Sequence, residues 1–206
     1  MRLLRTFHTI ALPALFLCAF FAFACGPDTD RNEEMLQTAM ERYLEGKLDQ
    51  SLLLIDKILA NDPEHSRALL LAARIEYYQQ DMGAAEGHCL RVLKDQPDHV
   101  GARLLLARIY GQNGDRMVEA LGQADEILAI DRGHVDAWYL KGRLHHGQGE
   151  LSEAIQAYRA AIFYGRRIAG AHAALAKIYT EARLPGKAQR HEQAAQALDW
   201  QGTRAE

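Results

Sequence analysis

From residue 32 to residue 199, apolar side chains recur at intervals of three and four, in paired segments each long enough for three or four helical turns. Val135 to Gln148 is one such segment; a turn at Gly149 follows, and then Leu151 to Tyr164. No segment alternates with the period of two that a half-buried strand requires, so the pattern predicts an all-α chain. The pairs also repeat. Asp98-His99-Val100-Gly101-Ala102 and Gly133-His134-Val135-Asp136-Ala137 lie 35 residues apart, and Pro63-Glu64-His65-Ser66-Arg67-Ala68 lies 34 residues before the first. A fixed period in the thirties means stacked copies of one supersecondary unit rather than one closed core, which favours an extended binding surface over a catalytic pocket.

The period divides the chain into five units: 32–65, 66–99, 100–134, 135–168 and a shorter 169–199. The eighth place of each holds Ala39, Ala73, Ala107, Gly142 and Ala176, and the twentieth holds Ser51, Ala85, Ala120, Ala154 and Ala188. Small residues at both places predict that the two helices of a unit cross closely there. The turn between them carries Gly46, Gly114 and Gly149, with Gln80 and Arg183 as departures, and glycine suits a helix end that needs a left-handed residue. Pro63 and Pro97 close the first two units; Arg132 and Arg166 stand there later, and the third unit holds one extra residue near Met117. In the fifth unit Glu192 replaces the apolar Ile55, Cys89, Ala124 and Tyr158 of earlier copies, which marks a terminal cap with a polar outer face.

These residues resemble tetratricopeptide repeats, whose signature runs Trp, Leu-Gly, Tyr, Ala, Phe, Ala, Pro across 34 residues. The resemblance implies a right-handed superhelical solenoid of about five helix-turn-helix units. It further implies that the first helices line a concave groove, faced by the second, fifth, ninth and twelfth places of each unit. At the ninth place stand Met40, Arg74, Arg108, Arg143 and Lys177, a ladder of four cations at repeat spacing. Arg74, Arg108 and Arg143 have no acidic residue three or four positions away on their own helices, and only Lys177 has one, Glu181. Unit charges ~10 Å apart in water repel by only about 0.4 kcal/mol, so such a ladder is tolerable when solvated and favourable when an anion bridges it. Tyr43, Tyr77 and Tyr139 add flat apolar contacts beside the charges, a mixture suited to recognition of an acidic peptide. The Lys and Asn pattern of the family's chaperone-tail clamp is absent, since Leu36, Met40, Leu71 and Leu105 occupy its places.

The N-terminus is a different kind of sequence. Arg2 and Arg5 precede an apolar run of 15 residues, Ile10 to Ala24, that ends in Ala22-Phe23-Ala24; this predicts an export signal over residues 1–24. Fifteen residues fall short of the ~20 that a helix needs to cross a bilayer. Cys25 follows at once and resembles the lipidated cysteine of bacterial lipoproteins, although Ala22 and Phe23 stand where the usual lipobox has Leu and a small residue. Ordinary cleavage at the same bond, releasing a soluble exported protein, is the alternative. Residues 25–31 read as a polar tether in which Pro27 blocks a helix, and residues 200–206 as a flexible tail.

Composition adds exclusions. The chain is 49% apolar and 25% charged, ordinary for a folded protein, and removal of Arg2 and Arg5 with the leader leaves 22 basic against 27 acidic residues, a balance unsuited to nucleic acid. His65, His99 and His134 share one turn place, but stacked helices lie ~8–10 Å apart whereas zinc ligands lie ~2.1 Å from the ion. They read as helix-entry residues, with no metal and no cofactor implied. Cys89 falls at a core place and reads as a small buried hydrophobe. Neither a Gly-x-Ser-x-Gly elbow nor a glycine-rich phosphate loop is present, so no enzyme is expected. Bacterial lipoproteins of this build serve pilus assembly, peptidoglycan-enzyme docking or outer-membrane biogenesis. The resemblance therefore implies a scaffold of the cell envelope facing the periplasm, binding proteins or acidic peptides; a small-acid-binding partner of a periplasmic solute transporter is the second reading.

Overall fold

A computed structural model describes residues 27–112, 114–165 and 169–202. Among them are ten helices and no strand: α1 (Pro27–Leu44), α2 (Leu48–Asn61), α3 (Ser66–Tyr78), α4 (Met82–Asp95), α5 (Val100–Tyr110), α6 (Met117–Ile130), α7 (Val135–Gly147), α8 (Leu151–Gly165), α9 (Ala169–Glu181) and α10 (Pro185–Gly202). Each odd-numbered helix packs on the even-numbered helix after it, and each even-numbered helix packs on the next odd one. Successive first helices also touch, α1 with α3, α3 with α5 and α5 with α7, which lays one surface of odd helices along the stack. No described helix is long and apolar enough to cross a membrane.

No unit buries its apolar face alone. One cluster joins Leu69 and Ala73 of α3 to Cys89 and Val92 of α4, Leu106 and Tyr110 of α5, and Leu140 and Leu144 of α7, all buried. Each fully buried Leu, Ile or Val there contributes about 1.5–3 kcal/mol, and much of that burial depends on a neighbouring unit. The small eighth and twentieth places are where helices meet: Ala39, Ala73, Ala107, Ser51, Ala85, Ala120 and Ala154 are all inaccessible to solvent. The Ser51 hydroxyl uses that proximity to donate a 2.7 Å hydrogen bond to the Ala39 carbonyl. Gly142 sits against Tyr158, whose ring atoms would lie 2.6 Å from any Cβ placed there. A tyrosine fits in the fourth unit because its partner place has no side chain.

The three aligned histidines begin helices. His65, His99 and His134 are the N-caps of α3, α5 and α7, and each Nδ1 accepts from the backbone N–H three residues on, at Ala68, Ala102 and Ala137, over 3.2–3.3 Å. The proton of each imidazole is thereby placed on Nε2. Where the later turn lacks proline, Asp131 stabilises it by accepting from Gly133 N–H at 2.8 Å, and the indole of Trp138 donates to the Arg132 carbonyl at 2.8 Å.

The turns inside the units are alike even where their residues are not. Gly46, Gly114 and Gly149 have φ of 74°, 70° and 77°, and Gln80 and Arg183 take the same left-handed conformation at 66° and 56°. Asp81 N–H reaches back to Glu76 C=O and Leu184 N–H to Tyr179 C=O, the bonds that Lys47 makes to Arg42 and Glu150 to His145. A β-carbon in this region costs about 1–2 kcal/mol, only part of which glycine returns through its freer unfolded chain. Gln80→Gly and Arg183→Gly should therefore each stabilise the array by about 0.5–1 kcal/mol in thermal melts; no gain at either site would mean the turns carry no strain.

Near the extra residue of the third unit stands Arg116, the N-cap of α6. Its guanidinium lies 3.8 Å from the Tyr110 ring centroid, meets both carboxylate oxygens of Glu86 on α4 at 2.8 and 2.9 Å, and reaches Glu119 at 3.1 Å. Hydrogen bonding from Arg116 holds the Glu86 carboxyl below its usual range, against the opposing effect of burial.

Two boundaries differ from the sequence reading. The stretch taken as a tether is helical from Pro27 on, because a proline at the first helical position lacks only an N–H that would have had no partner there. At the other end α10 continues to Gly202, beyond residue 199. The leader 1–24, Cys25 and residues 203–206 lie outside the described residues.

Candidate functional site

The odd-numbered helices carry three depressions in sequence. The first, about 290 Å³, lies over α3 and α5 and is lined by Arg74 and Arg108, by Tyr43, Tyr77 and Tyr78, and by Leu104. The second, about 180 Å³, lies between Arg108 and Arg143 with Tyr77, Gln112 and Leu140. The third, about 600 Å³, lies between Arg143 and Lys177 with Tyr139, His146 and Tyr158. Each cation of the ladder thus borders a depression, and Arg108 and Arg143 each border two.

Arg74, Arg108, Arg143 and Lys177 are exposed, and among the described residues none lies within ion-pair distance of a carboxylate. What they share beyond that is a place on the odd helices at the rim of a depression. Elsewhere Arg42, Lys47, Arg67, Arg91, Arg103, Arg116 and Lys141 all have acidic partners. Arg67, Arg91, Arg103, Arg116 and Lys141 tie one helix or turn to another, whereas the ladder presents its charge outward. Asp136, at the second place of its unit, is the acid that borders the first depression.

Packing fixes the aromatic walls. Tyr43 and Tyr78 lie 6.2 Å apart between ring centroids, and Tyr77 meets Tyr78 edge-on at 6.1 Å. Burial and then the Tyr78 hydroxyl push the Tyr43 phenol above its ordinary value, while Arg74 pulls it down. In the third depression Tyr139 stands 5.8 Å from Tyr158, and His146 meets Tyr158 edge-on at 6.4 Å. Burial pushes the Tyr158 phenol up to about 12, so it stays neutral beside Arg143. The Tyr139 hydroxyl leans on α9 at Gly170, where a β-carbon would come within 2.8 Å of it. Rigid aromatic faces and unpaired cations together suit a ligand that is flat or apolar in parts and acidic in others.

Tyr43, Tyr77 and Tyr139 all line these depressions. The sequence reading did not single out Tyr78, His146, Tyr158 or Asp136 for the groove. Two of them had a signal: His146 and Asp136 stand at twelfth and second places, which the repeat register directs to this surface. Tyr158 belongs to the core register and reaches the groove only past the missing side chain of Gly142.

Two family profiles match the chain: one described as the second ARM domain of tetratricopeptide repeat protein 21, over residues 17–114, and one described as tetratricopeptide repeat, over residues 104–172. Among solved structures, PilW, titled a widely conserved type IV pilus biogenesis factor, is similar with a TM-score of 0.74 and 22% identity, over 82% of this chain and 77% of that one. MamA from Desulfovibrio magneticus RS-1 gives a TM-score of 0.71 and 17% identity, over 86% and 98% of the two chains. A thermophilic TPR protein of Thermus thermophilus gives 0.67 and 17%, over 80% and 89%. At these identities the likeness is one of fold.

Proposed function

Since this chain is a tetratricopeptide-repeat protein, a solenoid of the kind that serves as a protein-interaction scaffold, we propose that its groove captures acidic segments of partner proteins during assembly of a bacterial cell-envelope complex. The observation that carries this reading is the run of three depressions, each bordered by unpaired cations of successive units and walled by tyrosines. An extended acidic segment laid along the odd helices meets Arg74, Arg108, Arg143 and Lys177 in turn, and its apolar side chains settle between them. The envelope setting rests on the export-like leader and on Cys25, through which acyl chains would hold the scaffold at a membrane facing the periplasm. The fold likeness to PilW makes pilus assembly the first process to examine.

The decisive experiment places a photoreactive residue at Tyr139, within the third depression, and another at Lys57 on α2, then crosslinks in cells and identifies products by mass spectrometry. A partner enriched at position 139 and absent at 57 supports the groove; identical products from both positions would dismiss it. The anchor has its own test. Labelled palmitate should enter the wild-type protein and not Cys25→Ala; absence of label in both would leave a released, unanchored scaffold.

A further inference from the structure

A second cationic cleft lies apart from the groove and shares no residue with its three depressions. About 510 Å³ in volume, it opens between α8, α9 and α10, the last three helices of the stack. Arg159 of α8 and Lys187 and Arg190 of α10 supply its charge; all three are exposed, and among the described residues none lies within 4 Å of a carboxylate. Ile162, Phe163 and Tyr179 form an apolar wall, and Phe163 is 75% exposed, a large aromatic surface left uncovered beside three like charges.

His191 completes the lining, and behind it stands His172, its hydrogen-bond partner. His172 of α9 and His191 of α10 face each other Nδ1 to Nδ1 at 3.0 Å, so one imidazole donates its N–H to the lone pair of the other. His191 also stacks on Tyr179, with 5.6 Å between centroids and 30° between planes, and Lys187 Nζ stands 5.4 Å from the same tyrosine ring. Burial lowers both histidines from their ordinary value, and His172, Arg190 and Arg159 lower His191 further. The cleft thus gathers three cations on one lining, none within 4 Å of a carboxylate among the described residues.

We propose that this cleft is a separate binding site for a small organic anion, one with two or more negative charges on an aromatic or apolar body. Arg159, Lys187 and Arg190 would hold its charged group, and Phe163 and Tyr179 would cover its body. The volume fits a small-molecule site, and guanidinium groups bind carboxylate or phosphate oxygens through paired N–H donors. An apolar wall beside the charges distinguishes such a ligand from a bare inorganic ion.

Titration calorimetry with phenyl phosphate, a dianion on a single ring, tests this directly, with inorganic phosphate as the comparison. The wild-type protein should bind phenyl phosphate several-fold more tightly than phosphate. Arg159→Gln with Arg190→Gln should weaken it by at least tenfold, and Phe163→Ser should remove the preference over phosphate. These are exposed positions, so circular dichroism of the variants should match wild type. The groove variant Arg108→Glu with Arg143→Glu should bind phenyl phosphate as wild type does. Undiminished binding by the Arg159 and Arg190 variant, loss of binding in the groove variant, or equal affinity for the two probes would each overturn the proposal.

Discussion

Reversing Arg108 and Arg143 together, each to Glu, should weaken capture of an acidic peptide by at least about 100-fold. Each of these arginines borders two depressions, so the pair touches every segment of the groove. A hydrogen bond between charged groups contributes about 1.5–3 kcal/mol, and 1.4 kcal/mol is tenfold in affinity, so losing two such bonds already accounts for the change before repulsion is added. Neither arginine has an acidic partner among the described residues, so the substitution leaves no orphaned carboxylate behind. Lys57→Glu with Lys94→Glu changes net charge equally at exposed positions on α2 and α4 and should leave affinity within a few-fold. Fluorescence anisotropy with a labelled acidic peptide at low salt reads the difference, and raising the salt should weaken wild-type binding steeply. Equal affinity for the two double variants would refute the ladder.

The second large effect is a reversal of sign. Gly142→Ala should destabilise the wild-type chain and stabilise a chain carrying Tyr158→Leu. In the wild type the new β-carbon would sit 2.6 Å from the fully buried Tyr158 ring, and overpacking of this kind costs about 1–3 kcal/mol. Helix propensity works the other way, because alanine is about 1 kcal/mol better than glycine inside a helix. Once Tyr158 is leucine, the first unit's pairing of Ala39 with Ile55 is approximated, and only the propensity gain remains. Urea denaturation of the four proteins in the cycle measures the coupling. The same sign in both backgrounds would show that the contact is not what fixes glycine there.

Much of this architecture was legible because stacked helices repeat their steric demands. A small side chain at Ala73 and Ala85 is required wherever two helices cross, so the same places in every copy disclose the register, and the register directs Arg74, Arg108, Arg143 and Lys177 to one surface. Features that depend on a single copy were harder to read. Pro27 looked like a helix breaker because proline forbids the interior of a helix and permits its first turn, and sequence alone does not say which of the two it occupies. Gln80 and Arg183 looked like exceptions at a glycine place, yet the turn imposes its left-handed conformation on them. Arg116 lies in the one irregular turn, where no other copy reports what a residue at that position does. The cleft at α8, α9 and α10 brings together residues from two units through the packing of α10, and no periodic pattern marks it.

Cys89 is inaccessible to solvent, and burial pushes its thiol up to about 12. At neutral pH almost no thiolate exists, and a reagent of any size must wait until α4 parts from α3 and α5. The rate at which a thiol label is taken up therefore times that opening within the intact array. A bound partner bridging the units would lengthen the interval, so this sulfur, inert in every other respect, is a clock for groove occupancy that needs no engineered residue.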